Sequence, residues 1–482
     1  AFMRLRLSIL GICPNCIGII LVTQLSLPDS YDCQTIRRHR IVSFNNISDK
    51  TVPVPASRVS RFARVGGLAA DIAGNMAVNG VRQLVQGQRP NWNGLLLSPA
   101  NARKLADQLA QMRGAAMKVG QLMSMDSGTM LPPEFAQILA RLRSEAEPMP
   151  PSQLKKVLTQ YWGPQWLQQF ASFDVRPIAA ASIGQVHRAK TKDGRELALK
   201  IQYPGIRKSI DSDVDNIAML IKISGLLPKG LDIASLLDQA KQQLHDEAQY
   251  QREGQYLQHF GRLLADNNHF QVPVLYGDLT TPDILAMSYV SGHPIEALAS
   301  APQAERDRVV GLLIQLLLFE LFDFQLMQTD PNFANYKYNP ETKQVVLLDF
   351  GATRALCPTL VKQFRRLLGS GLENDKDAIL DSMHEIGYCD DTILPHHQTA
   401  LLNLFDLILS PFRQDAAFDF SDGMFAAQVR DAAMALGKDG DFWHIPPVET
   451  LFLHRKFGGI YLLANKLGAR VNVRQLVTPY GE

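Results

Sequence analysis

The main part of this chain is poor in cysteine and almost neutral. Of its 482 residues five are cysteine, and the formal net charge is +2. Only Cys357 and Cys389 lie beyond residue 33, which excludes a disulfide framework there and suits a reducing compartment. The balanced charge gives no electrostatic reason to expect a nucleic-acid partner. The Cys13-Pro-Asn-Cys16 motif has no second Cys/His pair nearby, so it is a weak signal for zinc or redox chemistry.

Long uninterrupted apolar runs are also scarce in the main part of the chain. The run from Leu312 to Met327 is strongly apolar, but Gln315, Glu320 and Asp323 interrupt it. A membrane-spanning helix needs about 20 predominantly apolar residues, so the pattern predicts a buried helix. With 46% hydrophobic and 20% charged residues, the composition is globular and excludes a disordered chain. The length allows about three domains and a large core.

The first segment, residues 1–57, differs from the rest. Leu7 to Leu27 is largely apolar and follows Arg4 and Arg6, but Pro14 breaks the run. The segment also lacks a clear small-residue cleavage site. A leader, a membrane anchor and an upstream extension therefore all stay open as explanations of this poorly defined segment.

Periodicity and turn residues predict three further regions. Residues 58–169 are predicted to be helical, residues 170–303 to form a small strand-rich lobe, and residues 304–482 a mainly helical lobe. Asp193-Gly194 between two apolar runs indicates a β-hairpin. This order of elements indicates an α+β fold. The predicted helices are 98–125, 133–144, 152–162, 209–226 and 232–264, and the predicted strands are 178–189, 197–201, 272–276 and 284–290.

Two polar motifs have the spacing of a metal and phosphate site. An apolar run ends in Asp349-Phe350-Gly351, and Asp330 and Asn335 lie one hairpin upstream. A carboxylate at a strand end supplies the oxygen ligand that Mg²⁺ prefers. A D-x4-N loop supplies a catalytic carboxylate and a second metal ligand. Since Asp-Phe-Gly alone is a common tripeptide, the prediction depends on both motifs together with the lysine described next.

A single lysine interrupts an apolar strand. Lys200 lies in Ala-Leu-Lys-Ile, where a buried ammonium needs a carboxylate or phosphate partner. Glu247 and Glu253 follow on one predicted helix, and kinases hold nucleotide phosphates with a strand lysine paired to a helix glutamate. We expect Glu253 to pair with Lys200, and Glu247, about 120° away around the helix, to face another group. The alternatives are an edge-strand lysine with an exposed head and a solvated Glu247.

Small residues precede this lysine, at the place of a phosphate-binding loop. Ala179, Ala180, Ala181 and Ser182 permit a tight turn whose backbone amides can face phosphates. Alanine lacks the freedom of glycine at positive φ, so we expect a stiffer loop than G-x-G-x-x-G would give. His187, which follows the loop, is predicted to be structural.

A Lys-Val-Gly-Gln motif lies in the predicted helix at 98–125. Lys118 and Gln121 are three residues apart and therefore share a helix face. From these residues alone, a catalytic role and an ordinary surface pair both stay open.

The motifs taken together resemble those of the UbiB family, the aarF-domain-containing atypical kinases, from about residue 58 to residue 475. The resemblance implies an α+β, bilobal protein-kinase-like fold, with K-x-G-Q in a helical N-terminal extension over the active site. It also implies an ATPase or small-molecule kinase that uses ATP and Mg²⁺ to support ubiquinone biosynthesis. The motifs are K-V-G-Q, A-A-A-S-I-G-Q-V-H, A-L-K-I-Q-Y-P-G, Y-Q-R-E, M-Q-T-D-P-N-F-A-N and L-L-D-F-G-A-T-R.

The same resemblance implies roles for individual residues. Lys200 would bind phosphates and pair with Glu253, and Asp330 would be the catalytic carboxylate. Asn335 and Asp349 would hold Mg²⁺. The other family residues would be the inward-facing Lys118 and Gln121, Glu247 as a partner of Lys118, and the alanine-rich nucleotide loop Ala179, Ala180, Ala181 and Ser182.

Two features differ from ordinary protein kinases. Thr329 stands before Asp330 in place of arginine, and a helix resumes by about Pro358, which leaves no long activation segment and no Ala-Pro-Glu motif. A docking platform for protein substrates is therefore not expected. The leading hypothesis is the ATPase or small-molecule kinase, the second is a nucleotide-switched lipid-binding chaperone or scaffold for quinone-synthesis enzymes, and the third is a protein kinase.

Partners and location follow from the leading hypothesis. The expected partners are ATP, a quinone-precursor or isoprenoid lipid, an anionic membrane surface and quinone-biosynthesis enzymes. The main part of the chain favours a cytoplasmic, peripherally membrane-associated protein. The Arg-containing N-terminal segment keeps the matrix side of the mitochondrial inner membrane open as the alternative.

Overall fold

The chain divides into two compact units, residues 1–147 with 209–240, and residues 148–208 with 241–482. The predicted helix at 133–144 lies outside the described residues, and the four predicted domain ranges stay predictions. The computed structural model describes residues 148–224, 233–438 and 446–481, together with Gly67, Gly74, Met112, 114–116 and 118–120.

The first half of the described chain alternates helices with short strands. Residues 114–116 and 118–120 are helical, within the helix predicted at 98–125. From residue 148 onward the elements are α1 (Pro151–Trp162), β1 (Phe170–Phe173), β2 (Ala179–Ala180), β3 (Gly184–Thr191), β4 (Glu196–Gln202), α2 (Ile206–Ser224), α3 (Ile233–Glu247), α4 (Tyr250–Leu263), β5 (Phe270–Gln271) and β6 (Ile284–Ser288).

An antiparallel sheet carries the alanine-rich loop and Lys200. Its strand order is β1-β3-β4-β6, and β2 pairs with the start of β3. The pairing of β3 with β4 confirms the predicted hairpin, and it sets Lys200 opposite Val186. Along β4, Leu197, Leu199 and Ile201 are fully buried. Side chains alternate between the faces of a strand, so Lys200 points away from these three residues.

The long helix predicted to carry Glu247 and Glu253 is in fact two helices. They separate at Ala248 and Gln249, where Gln249 has φ −95 and ψ 74. The side-chain amide of Gln202 donates to the Ala248 carbonyl oxygen at 2.7 Å, which gives this oxygen a partner outside the helix. The predicted 120° relation between the two glutamates was therefore wrong, because they do not share one helix axis.

The predicted strand at 272–276 was also wrong. Leu275 forms an isolated bridge with Met287 instead. The regular strand of this region, β5, lies just before it and pairs in parallel with β10, in the register Val345 to Phe270.

The second half of the described chain is mainly helical, as predicted, and its strands are short. Its sheets have the orders β5-β10-β9-β7, β8-β11 and β12-β13. The elements are β7 (His293–Pro294), α5 (Gln303–Leu318), β8 (Leu326–Gln328), β9 (Tyr336–Asn339), β10 (Gln344–Leu347), β11 (Thr353–Ala355), α6 (Pro358–Glu373), α7 (Lys376–Ile386), α8 (Pro395–Leu409), β12 (Phe418–Asp419), α9 (Gly423–Lys438), α10 (Val448–Leu467), β13 (Arg470–Val471) and α11 (Val473–Val477).

The apolar run from Leu312 to Met327, predicted to be a buried helix, forms the end of α5, a π-helical turn at Phe319–Asp323 and the start of β8, so it is helical only as far as Asp323. Leu313, Leu316 and Leu317 belong to the core, and even Glu320 is only 1% exposed. In the part of the chain that the structure describes, no helix is both long and apolar enough to cross a membrane. The mixture of antiparallel sheet and packed helices confirms the α+β fold class.

Candidate active site

Lys200 lies between two carboxylates. Its Nζ donates to Glu253 Oε1 at 2.9 Å and to Glu253 Oε2 at 3.0 Å. The same ammonium donates to Asp349 Oδ2 at 3.0 Å. The Lys200 and Glu253 side chains are 7% and 1% exposed, whereas that of Asp349 is 28% exposed. The cluster is therefore closed to solvent at Glu253 and open at Asp349, where a phosphate can approach.

Burial and charge act in opposite directions on this cluster. Burial lowers the pKa of Lys200, but the negative charges of Asp349 and Glu253 outweigh it and hold that pKa well above its usual value. Burial raises the pKa of Glu253 to about 7, with Lys200 opposing the rise and Asp349 adding to it. Lys200 is therefore a permanent cation, as a ligand for phosphate oxygens must be.

Asp349 is delivered by the end of β10. Its Oδ1 accepts a hydrogen bond from the Gly351 backbone N–H at 2.9 Å, so both carboxylate oxygens have fixed partners. Phe350 is buried and packs on Phe260 of α4, with ring centroids 4.9 Å apart. Glu253 lies seven residues before Phe260, about two turns earlier on that helix. One helix therefore aligns both the lysine partner and the Asp-Phe-Gly motif.

Asp330 and Asn335 lie in one loop, residues 328–336, which we call the catalytic loop. Asn335 Nδ2 donates to the carbonyl oxygen of Asp330 at 3.3 Å and to its Oδ2 at 3.4 Å. With the amide nitrogen committed to Asp330, the amide oxygen is the Asn335 atom that can bind a cation. Thr329 donates through Oγ1 to the Ala352 carbonyl oxygen at 2.8 Å. Thr329, which stands where ordinary protein kinases have arginine, thus connects the catalytic loop to the segment after Asp349 by a hydrogen bond.

Asn335 and Asp349 line the same small cavity. Mg²⁺ typically takes one or two protein oxygen ligands and completes its octahedron with phosphates and water, so this pair fits Mg²⁺ bound together with a nucleotide. Among the described residues, no cluster of three or more His, Cys, Asp or Glu side chains could hold a metal by itself. Mg²⁺ binding here would accordingly depend on phosphate oxygens.

The alanine-rich loop is an exposed turn, and the side chain of Ser182 anchors it through a hydrogen bond. Ala179 and Ala180 form β2 and are exposed, and the Ala181 N–H donates to the Gly184 carbonyl oxygen at 2.9 Å. Ser182 Oγ donates to Glu247 Oε2 at 2.6 Å. Glu247 therefore does face a group other than Lys200, and that group belongs to the loop.

A buried polar chain next to the loop was missed by sequence reasoning. The Met149 N–H donates to Gln185 Oε1 at 3.0 Å, and Gln185 Nε2 contacts His187 Nε2 at 2.7 Å. His187 Nδ1 lies 2.8 Å from the Asp174 carbonyl oxygen. Because that oxygen can only accept, the proton lies on Nδ1 and Nε2 accepts from Gln185. These hydrogen bonds explain why His187 is structural, as predicted. Their signal in the sequence is the Gln-x-His alternation, which places Gln185 and His187 on one face of the strand.

The K-x-G-Q motif is described only in part. Lys118 is buried, with 1% exposure, which argues against an ordinary surface lysine. Gln121 lies outside the described residues. The pairing of Lys118 with Glu247 and the catalytic role of the motif stay predictions.

Known proteins resemble this chain over most of its length. The ABC1 atypical kinase-like domain matches residues 141–383. Atypical kinase COQ8, mitochondrial, of Saccharomyces cerevisiae is 38% identical over 434 residues, which cover 89% of this chain and 85% of the yeast protein. Atypical kinase COQ8B, mitochondrial, of Rattus norvegicus is 35% identical over 425 residues, covering 88% of this chain and 80% of the rat protein.

A solved structure shares the fold. The complex of Rv3197 with erythromycin from Mycobacterium tuberculosis superposes with a TM-score of 0.55 at 23% identity, covering 80% of this chain and 98% of that chain. The fold and the lysine–carboxylate site thus define a protein-kinase-like enzyme. This chain belongs to the ABC1 atypical kinase-like family, which confirms the predicted family and the prediction of a kinase-like, ATP-dependent enzyme.

Proposed function

We propose that this protein is an Mg²⁺-dependent ATPase or small-molecule kinase that supports ubiquinone biosynthesis. The observation that carries the proposal is the position of Lys200, whose ammonium bridges the buried Glu253 and the partly exposed Asp349. A lysine cation paired with one buried and one partly exposed carboxylate is an arrangement for binding nucleotide phosphates.

The residues divide the chemistry among them. Lys200 would donate to the nucleotide phosphates while Glu253 keeps it oriented. Asp349 and Asn335 would hold Mg²⁺, which together with ATP supplies the activated phosphoryl group and offsets its charge. Asp330 would orient or deprotonate the acceptor, a small molecule or water. The presence of Asp330 and Asn335 in one fixed loop favours turnover over a purely nucleotide-switched scaffold.

The finer architecture is part of the proposal. We place the strand-rich and helical regions in two lobes with the nucleotide between them, and the K-x-G-Q segment of Lys118 and Gln121 over the active site. The burial of Lys118 supports an inward-facing motif. The alanine-rich loop would then cover the phosphates.

A mitochondrial location is favoured over the cytoplasmic one. The yeast and rat relatives are both named as mitochondrial proteins, in line with the Arg-containing N-terminal segment. We propose peripheral attachment at the matrix side of the inner membrane, where an anionic lipid surface, a quinone-precursor or isoprenoid lipid and quinone-biosynthesis enzymes would be the partners.

The test is ATP hydrolysis by the full chain, with and without Mg²⁺ and with and without liposomes of anionic phospholipid. Asp349→Asn removes the charged metal ligand, and we expect turnover to fall by a factor on the order of 100 or more. Asp381→Asn, at a side chain that is 68% exposed on α7, is the matched control and should behave as wild type. Full turnover in Asp349→Asn would refute the site; turnover that liposomes do not change would refute the membrane partner.

A further inference from the structure

A buried ion pair between Lys456 and Glu320 lies next to the catalytic loop. Lys456 of α10 is 1% exposed, and its Nζ lies 2.9 Å from Glu320 Oε2. Glu320 belongs to the π-helical turn after α5 and is also 1% exposed. Both charges are therefore withdrawn from water.

The same ammonium holds both ends of the catalytic loop. Lys456 Nζ donates to the carbonyl oxygen of Gln328 at 2.9 Å and to the hydroxyl of Tyr336 at 3.1 Å. Gln328 precedes Asp330 by two residues, and Tyr336 directly follows Asn335. Both residues with a proposed catalytic or metal-binding role thus lie between two contacts of one lysine.

A glycine on the same helix touches the middle of the loop. Gly459 is three residues after Lys456, which places both on one face of α10. A Cβ at position 459 would overlap the ring of Pro331, the residue after Asp330, whereas a Cβ at the neighbouring position 458 would meet nothing within 4 Å. The Gly459 backbone therefore packs directly against the ring of Pro331, at a distance that leaves no room for a larger side chain.

Stability alone is a weak reason for this pair. Burial raises the pKa of Glu320 against the opposing charge of Lys456, so the carboxylate is held in an unfavourable place. Apolar residues of similar volume in place of a buried ion pair usually leave a protein as stable or more so. Apolar residues could not replace the Lys456 ammonium as a hydrogen-bond donor to two oxygens of the catalytic loop. Glu320, Asn335 and Asp349 also line one cavity, so a shift at the pair would reach the metal residues.

We propose that α10 positions the catalytic loop, with Lys456 and Gly459 as positioning residues for Asp330 and Asn335 and with Glu320 keeping Lys456 in place. This rests on the proposed function for the meaning of the loop, and it deepens that function by assigning the element that sets the geometry of turnover. Neither Lys456 nor Gly459 needs to touch the substrate.

The glycines give a matched test in the full chain. Gly459→Ala and Gly458→Ala add the same methyl group to the same helix, but only the first must displace Pro331. We expect Gly459→Ala to lower kcat for ATP hydrolysis by a factor on the order of 100, since a displacement of about 1 Å can cost that much. Amide hydrogen exchange in residues 328–336 should become faster in Gly459→Ala and stay at the wild-type rate in Gly458→Ala.

The ion pair gives a second test that separates positioning from stability. Lys456→Met leaves Glu320 buried without its partner, so the urea midpoint should fall; Lys456→Met with Glu320→Leu removes both charges and should recover it. We expect kcat of the double variant to stay on the order of 100-fold low, and exchange in 328–336 to stay fast, because the contacts to Gln328 and Tyr336 are still missing. The KM for ATP should change little, since Lys200 and Glu253 are untouched.

Each outcome decides one question. Recovery of kcat together with stability in the double variant would make Lys456 merely structural and overturn its positioning role. Equal kcat and equal exchange in the two glycine variants would overturn the role of Gly459. If wild type itself fails to turn over ATP, the proposed function fails, and the exchange rates, which need no activity, still decide whether α10 holds the loop.

Discussion

Lys200 donates to Asp349 Oδ2 at 3.0 Å while the same Nζ lies 2.9 Å from Glu253 Oε1. One ammonium therefore serves one carboxylate that is fully buried and one that is partly open to solvent. A phosphate can replace only the open partner without leaving a buried charge unpaired. We infer that the Lys200–Glu253 pair is permanent and that Lys200–Asp349 is exchangeable, which would free Asp349 for a cation when nucleotide binds.

We expect the Lys200–Glu253 pair to contribute to the free energy of unfolding. Lys200→Met leaves Glu253, which is 1% exposed, without a partner, and we expect the free energy of unfolding to fall by about 3 kcal/mol. Combining Lys200→Met with Glu253→Leu should restore most of the loss, while ATP turnover stays absent in both variants. Urea unfolding checks this, with Lys190→Met as the control because that side chain is 49% exposed. An unchanged unfolding midpoint in Lys200→Met would contradict a permanent pair.

We expect the hydrogen bond from Ser182 to Glu247 to increase the affinity for ATP. At 2.6 Å to a carboxylate oxygen, it holds the alanine-rich loop in one position before any phosphate arrives. Hydrogen bonds to charged groups contribute about 1.5–3 kcal/mol, so Ser182→Ala should weaken ATP binding roughly 10-fold or more with little change in kcat. Titration with a non-hydrolysable ATP analogue measures this. The control is Ser300→Ala, at an exposed serine whose hydroxyl donates to the Ala297 carbonyl oxygen in its own turn. Equal ATP affinities in the two variants would show that the Ser182–Glu247 hydrogen bond does not contribute to nucleotide binding.

Much of the site could be predicted from the sequence because its signals are local. Lys200 is a lone charge in an apolar strand, and Asp349 ends an apolar run. Asp330 and Asn335 stand five residues apart in one loop, where short-range geometry brings them together. Each of these residues carries its chemical meaning within a few neighbours.

The elements that sequence reasoning missed depend on contacts between distant residues. Helices α3 and α4 separate where Gln202, 46 residues earlier, bonds the Ala248 carbonyl oxygen. Lys456 contacts Gln328 across 128 residues, and in sequence it is one lysine of a region predicted to be mainly helical. Neither contact leaves a periodic or spaced pattern, so only the folded chain reveals them.

His187 makes a prediction about pH. Burial lowers its pKa to about 4 from the usual 6.5, and the hydrogen bond to the Asp174 carbonyl oxygen offsets only part of that shift. As pH falls from 6.5 towards 4, the unfolded chain binds a proton that the folded chain refuses. The free energy of unfolding should therefore drop, by up to about 3 kcal/mol from this residue. Urea unfolding across that range should show a shallower pH dependence for His187→Asn than for wild type, and His454, whose pKa is also lowered to about 4 by burial, contributes equally to both and cancels. Parallel curves for the two proteins would mean that His187 can be protonated in place.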